Sequence, residues 1–171
     1  MNYARIIEIK GLQLAKVNYY TVWIDGNDNP EFRDFAERMN LNPKNKIEFQ
    51  ELIVFIKQVG NQYGALRRYF HHEAAADALS LPYPYLEHID IESENNNFGL
   101  RLYCLRFSES IVILFNGDRK TAFKAQDCPH CAKYFKLAQR LSKAINSVIR
   151  DGSLIYTDHF LLIDEDCELE F

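Results

Sequence analysis

Apolar and polar positions along the chain recur in two periods, one near two residues and one near three and a half. Ile6-Ile7-Glu8-Ile9 reads as a short strand. Val17 to Ile24, rich in β-branched and aromatic residues, reads as a stronger one. Asp25 to Pro30 is a turn, with Pro30 suited to a first helical position. Phe32, Phe35, Ala36 and Met39 then fall at helical spacing. Asn42-Pro43 interrupts them, and Phe49, Leu52, Ile53, Ile56 and Val59 define a second helix ending at Gly60 or Gly64. Leu66 to Ser80 carries no clear period, and Leu81 to Pro84 reads as loop. Leu86 to Glu92 alternates as a strand does. Phe98 to Phe107 and Ile111 to Phe115 read as two more strands joined by the short connection Ser108 to Ser110. Phe135, Leu137, Ala138, Leu141, Ala144, Ile145 and Val148 predict a helix over about 130–150, closed by Asp151-Gly152. Leu154 to Ile163 returns to strand character. The order predicts an α+β layer, an antiparallel sheet with helices packed on it.

With 171 residues, 47% of them apolar and 26% charged, this is the composition of one ordinary globular domain. Such a chain buries roughly 70% of its unfolded surface and needs no disulfide or metal to hold a core. No apolar run, Ile111 to Phe115 included, exceeds five residues, too short to span a bilayer. Met1 to Lys10 interleaves charges with its apolar residues, unlike a signal peptide, so a cytoplasmic protein with reduced cysteines and no membrane partner is expected.

The net charge of −4 conceals an asymmetry. Residues 1–97 sum to −4, residues 98–150 to +7, and residues 151–171 to −7. The basic stretch is where a polyanion site is sought. Solvated polar faces explain the same charges without any ligand.

Short motifs narrow the chemistry further. Cys128-Pro129-His130-Cys131 opens a predicted helix, the setting in which a CxxC pair becomes a redox nucleophile. A thioredoxin-like fold needs a later proline-bearing loop, and none of the 40 residues after Cys131 is proline. One CxxC supplies half of a structural zinc site. The plainer expectation is four cysteines acting as small apolar residues. His71-His72-Glu73 lacks zinc-protease spacing and reads as a solvated helix end or loop. No Gly-rich phosphate loop and no nucleophile elbow is present, so neither a metal nor a small-molecule cofactor is expected. In Leu100 to Arg106, strand alternation places Arg101 and Tyr103 on one face. Arg106 falls on the other face unless a bulge intervenes. Arg119, Lys120 and Lys124 follow beyond the next strand. Guanidinium, ammonium and phenol groups at neighbouring strand ends are suited to binding RNA phosphates and stacking a base.

Phe98 to Phe107, Ile111 to Thr121 with its Asn-Gly-Asp-Arg-Lys-Thr end, and the helix carrying Phe135 to Arg140 together resemble the RelE/ParE/HigB toxin superfamily. The resemblance covers about residues 17–150, the toxin-like core of a single domain 1–171 with an acidic end at 164–171. It implies a RelE-like fold: a small antiparallel sheet with an N-terminal helical hairpin on one face, a C-terminal helix, and a basic concave surface opposite the hairpin. It further implies the toxin of a type II toxin–antitoxin pair, a ribosome-dependent mRNA endoribonuclease that uses 2′-hydroxyl attack and no metal. A cognate antitoxin and the mRNA on the ribosome would be its partners. By position, Arg101 and Lys120 match the family's catalytic cations, with Tyr156 or His159 as the C-terminal assisting group. Tyr103, Arg106, Arg119 and Lys124 would support RNA binding. The alternative within the same resemblance is a non-catalytic protein binder, such as the gyrase-directed ParE branch, or an inactive remnant. The chain departs from the family in length and in its acidic total, and its acidic end is expected to screen the basic surface from within.

Overall fold

Pro30 and Asn42 decide where the first two helices begin. The computed structural model describes residues 1–82 and 98–171, so the strand expected over Leu86 to Glu92 lies outside the described residues, as does the Tyr83-Pro84 end of the expected loop. Strands β1 (Tyr3–Gln13) and β2 (Asn18–Ile24) come first. Helix α1 (Glu31–Leu41) starts after Pro30, and its Phe32 N–H donates to the Thr21 hydroxyl at 3.1 Å, so a strand residue satisfies one of the orphan donors of the first turn. Helix α2 (Pro43–Gln58) has Pro43 in its first turn and the Asn42 side chain accepting from the Lys44 N–H at 3.0 Å. A π-helical turn (Val59–Tyr63) and Gly64, at φ +78°, end it.

Beyond a 3-10 turn (Arg67–Tyr69) the chain forms the hairpin β3 (His71–Glu73) and β4 (Ala76–Leu79), then the hairpin β5 (Leu100–Arg106) and β6 (Ile111–Arg119). Helix α3 (Ala132–Arg150) follows, then β7 (Ile155–Tyr156), β8 (Leu161–Leu162) and β9 (Leu169–Glu170). No helix among the described residues is long and apolar enough to cross a membrane.

Among the described residues, seven strands form one sheet in the order β3-β4-β5-β6-β2-β1-β9, and β7-β8 make a separate ribbon. This overturns the expected small antiparallel sheet led by a helical hairpin. The sheet is large, it is mixed because β2 pairs with β6 in parallel, and two strands precede the helices. Three local features account for the difference. The first strand is eleven residues long, since its polar positions face water while Ala4 and Ile6 point inward. The C-terminal Leu169 pairs with Ala4 and adds an edge strand. The Ala-rich stretch after Tyr69 pairs as a hairpin although it shows no strong alternation.

Side chains alternate between two apolar cores. Val112, Leu114, Leu102 and Cys104 pack with Phe35, Met39, Phe49, Leu52 and Phe55 of α1 and α2. Ile111, Ile113, Phe115, Tyr103 and Leu105 pack with Phe135, Ala138, Leu141 and Ile145 of α3. Helices thus cover both faces, and the face opposite the helical pair holds α3 where an open basic surface was expected.

The β5–β6 register breaks once. Leu102 pairs with Gly117 but Cys104 pairs with Leu114, so β6 carries one extra residue near Phe115 and Asn116. Beyond this bulge the facing of β6 is reversed. Arg119, opposite Leu100, turns toward α2, where it meets the buried Glu48 at 2.8 Å. Lys120, whose N–H donates to Gly99 O at 2.9 Å, turns to the face of Arg101. Gly117 permits the approach, since a Cβ there would stand 1.8 Å from the Arg101 carbonyl oxygen. Gly117→Ala is therefore expected to cost about 3 kcal/mol in urea unfolding, while Gly152→Ala, open around its Cβ position but strained at φ +83°, costs about 1 kcal/mol.

Candidate functional site

The start of β5 and the end of the antiparallel β6 assemble a group of cations on the α3 face. Arg101 lies opposite Asp118, and Lys120 sits diagonally from Arg101, with Gly99 directly across from it offering no side chain. From the neighbouring hairpin His71 joins them. It pairs with Ala78 on the same face, and its Nε2 shares a hydrogen bond with the Ser80 hydroxyl at 3.1 Å. The three charges feel one another. Partial desolvation and then the Arg101 charge hold the His71 ring below its ordinary pKa, with Lys120 adding to the effect and Glu73 opposing it. Burial and then Arg101 lower Lys120 as well, against Glu73 and the two nearby thiols.

Two of the nearby acids are committed elsewhere, which leaves Glu73 as the acid that offsets the positive charge at Lys120 and His71. The Asp118 carboxylate takes Arg38 at 3.2 Å and the Arg119 N–H at 2.7 Å. Glu48 takes Arg119 and the Leu100 N–H. Among the described residues neither Arg101 nor Lys120 has a carboxylate within salt-bridge distance. Arg101 Nε is buried with no hydrogen-bond partner, an omission that costs about 1–3 kcal/mol. Lys120, only 9% exposed, rests its ammonium 5.7 Å from the Phe98 ring centre. Phe98 meets Phe123 edge-on at 6.4 Å, and Phe123 is 82% exposed. An apolar ledge open to water therefore borders Lys120.

The structure brings together only part of the expected set. Arg101 and Lys120 share one site, and Lys124 is exposed just beyond Phe123. Arg119 is held by Glu48 and by Asn45 at 2.9 Å, on the opposite face. Arg106 also faces away and donates to Ala65 O, as strict alternation requires, since the bulge lies in β6 and not in β5. Tyr103 is fully buried against Phe135, with centroids 5.9 Å apart, so it presents no ring for a base to stack on. Tyr156 packs edge-on to Phe107, and the His159 carbonyl accepts from Asn18 at 2.8 Å. Asn18 pairs with Ile111, at the far end of β6 from Asp118, which sets both residues roughly 20 Å from Arg101. The acidic end, paired to β1 through β9, lies four strands from β5, again roughly 20 Å away, and does not screen the cations. Sequence reasoning missed His71 and Phe123. His71 sits in a motif expected to be a solvated helix end or loop, and it is exposed but lies on strand β3; Phe123 carries no signal beyond an isolated aromatic between basic residues.

A second arrangement lies where β2 and β6 part. Their pairing stops at Thr21 and Leu114, and the bulge and the β2–α1 turn open a cleft of about 580 Å3 against α3. Inside it, the Asn116 amide donates to Glu31 and to Asp34, both at 2.9 Å, and Arg38 donates to Asp34, Asn116 and Gly117 O. Burial raises the Glu31 pKa. At Asp34 burial acts the same way, but the bonds from Asn116 and Arg38 outweigh it and lower that carboxyl. This cleft is not at the cation group. Its polar atoms are spent on one another, so it ties α1 to β6.

No family model, curated protein or solved structure matches the chain.

A lowered folded-state pKa at His71 means the unfolded chain takes up the proton first as pH falls. Stability contributed by the neutral ring is present above the ordinary histidine value and is lost as pH falls toward the lowered one. In an NMR titration the His71 ring is expected to titrate below an unperturbed histidine, and inorganic pyrophosphate should move its midpoint upward. A midpoint unmoved by pyrophosphate contradicts the assignment of this site.

Proposed function

We propose that the protein acts on RNA at the face bearing Arg101, Lys120 and His71, as an endoribonuclease using 2′-hydroxyl attack. One observation carries this reading: Arg101 and Lys120 stand on one face beside the His71 ring and an exposed aromatic ring, with no carboxylate among the described residues within salt-bridge distance of either cation. A phosphodiester supplies the missing charge, and a splayed base gains a stacking partner in Phe123. Neutral at physiological pH, His71 can take the proton from the attacking 2′-oxygen. Arg101 and Lys120 then stabilise the charge that builds on the phosphoryl oxygens. The P–O5′ bond breaks and the 5′-oxygen takes a proton from water, giving a 2′,3′-cyclic phosphate and a free 5′-hydroxyl, while the proton held by His71 returns to solvent. The role expected of His159 thereby passes to His71. Ribosome-bound mRNA as the substrate, and an antitoxin as the partner, follow from the resemblance to the toxin superfamily and complete the proposal.

The test is incubation of a labelled single-stranded RNA with the purified protein, alone and in cell-free translation, with primer extension on the message. Arg101→Met is expected to weaken RNA binding about tenfold or more and to remove cleavage. His71→Gln should bind almost as well but cut about 100-fold more slowly. RNA bound yet never cut moves the reading to a non-catalytic binder, and RNA neither bound nor cut disposes of it.

A further inference from the structure

We propose that Cys128 and Cys131 form an oxidisable dithiol whose conversion to a disulfide loosens the segment that carries Lys120. Both thiols are wired to that segment. The Cys128 sulfur accepts from the Thr121 N–H at 3.4 Å and from the Cys131 N–H at 3.3 Å, and lies 3.6 Å from the Thr121 hydroxyl. Its own S–H points to Arg119 O at 3.6 Å, and the Cys131 S–H points to Asp118 O at 3.5 Å. Two thiol hydrogens thus land on the two carbonyls that precede Lys120, and one sulfur receives the N–H that follows it.

The pair is also chemically differentiated. Burial alone would raise both thiols. At Cys128 the hydrogen bonds from Thr121 and Cys131 outweigh burial and bring it down to about 7, whereas burial and the Cys128 sulfur push Cys131 up to about 12. Burial raises Cys104 and Cys167 too. Cys128 is therefore the thiol with substantial thiolate at neutral pH, and Cys131 is placed to resolve it. Hydrogen peroxide is the oxidant class. The Cys128 thiolate attacks one peroxide oxygen, the O–O bond breaks, and hydroxide leaves, giving a sulfenic acid. The Cys131 sulfur then attacks Cys128 Sγ, loses its proton, and expels the sulfenic oxygen as water. Two thiols and one peroxide become a disulfide and two waters. Both sulfurs are fully covered, Cys128 by the short segment 121–127 with its single 3-10 turn (Ala125–Asp127), so the reaction waits on local opening of that segment. Once the disulfide forms, neither sulfur has a hydrogen left to donate to Asp118 O or Arg119 O.

The consequence for RNA rests on the proposed function, but the disulfide itself does not. The full chain would be treated with hydrogen peroxide, alkylated under denaturing conditions and digested with trypsin, which leaves both cysteines in the peptide 125–133. That peptide is expected to resist alkylation until a dithiol reduces it, while Cys104 and Cys167 stay reactive. Amide exchange over 118–121 should quicken about tenfold or more in the oxidised protein. Cys131→Ser should stop at the Cys128 sulfenic acid, trapped by a cyclic diketone. A peptide that remains fully alkylatable overturns the proposal, as does a disulfide that leaves exchange over 118–121 unchanged. RNA bound by the reduced form and about tenfold more weakly by the oxidised form supports control of the site, and equal binding refutes it. If the reduced protein binds no RNA, the RNA reading alone fails, and the peptide and exchange results still decide the dithiol.

Discussion

One extra residue in β6 organises this molecule. Without the bulge near Phe115 and Asn116, strict alternation would send Lys120 toward the helical pair and Arg119 toward α3. With it, Arg119 neutralises the buried Glu48 that accepts the Leu100 N–H, and Lys120 joins Arg101. The same irregularity leaves the Asn116 amide free to bridge Glu31 and Asp34, which ties α1 to the sheet. Gly117 is what allows the two backbones to come close enough for all three outcomes.

Electrostatic commitments made elsewhere then create the site. Arg38 donates to Asp118, the acid opposite Arg101, and its guanidinium also lies 4.7 Å from the Tyr134 ring centre at the start of α3. Glu48 is held by Arg119 on the other face. Burial first, and repulsion from Arg101 after it, lower the pKa of Lys120 and of His71, with Glu73 opposing both. Folds retain such cost where a ligand relieves it. The thiol pair under the same strand end holds the Asp118–Thr121 backbone by weak sulfur bonds, so the position of Lys120 depends on a chemically soft anchor.

Local chemistry made much of the chain legible. Pro30, Asn42 and Pro43 announced the two helices, the apolar period from Phe135 to Val148 announced α3, and Ile111 to Phe115 could only be a buried strand. Pairing partners were not legible. Nothing in Asn18 to Thr21 says that its neighbour is Ile111 to Leu114, in parallel and nearly a hundred residues away. The short β3–β4 hairpin is built from alanines and histidines whose propensities favour no one state, and His71 in it reads as a solvated helix end or loop until the pairing is seen. Position along the chain singled out Arg101 and Lys120 and they do meet, whereas Tyr156 and His159, chosen by the same logic, lie at the opposite end of the sheet. A bulge leaves no mark in periodicity except a glycine, and Gly117 reads as an ordinary turn residue until Arg101 is seen above it.

The central claim is that Arg101 and Lys120 stand together with no carboxylate among the described residues in salt-bridge contact with either. A double-mutant cycle on unfolding free energy tests it most directly, using Arg101→Met, Lys120→Met and the pair, in urea at neutral pH. If the claim holds, each single substitution is neutral or stabilising, and the second gains less than the first by about 0.5 kcal/mol or more. Additive effects, or a loss of stability from either substitution, would show that each cation has its own partner and would contradict the account.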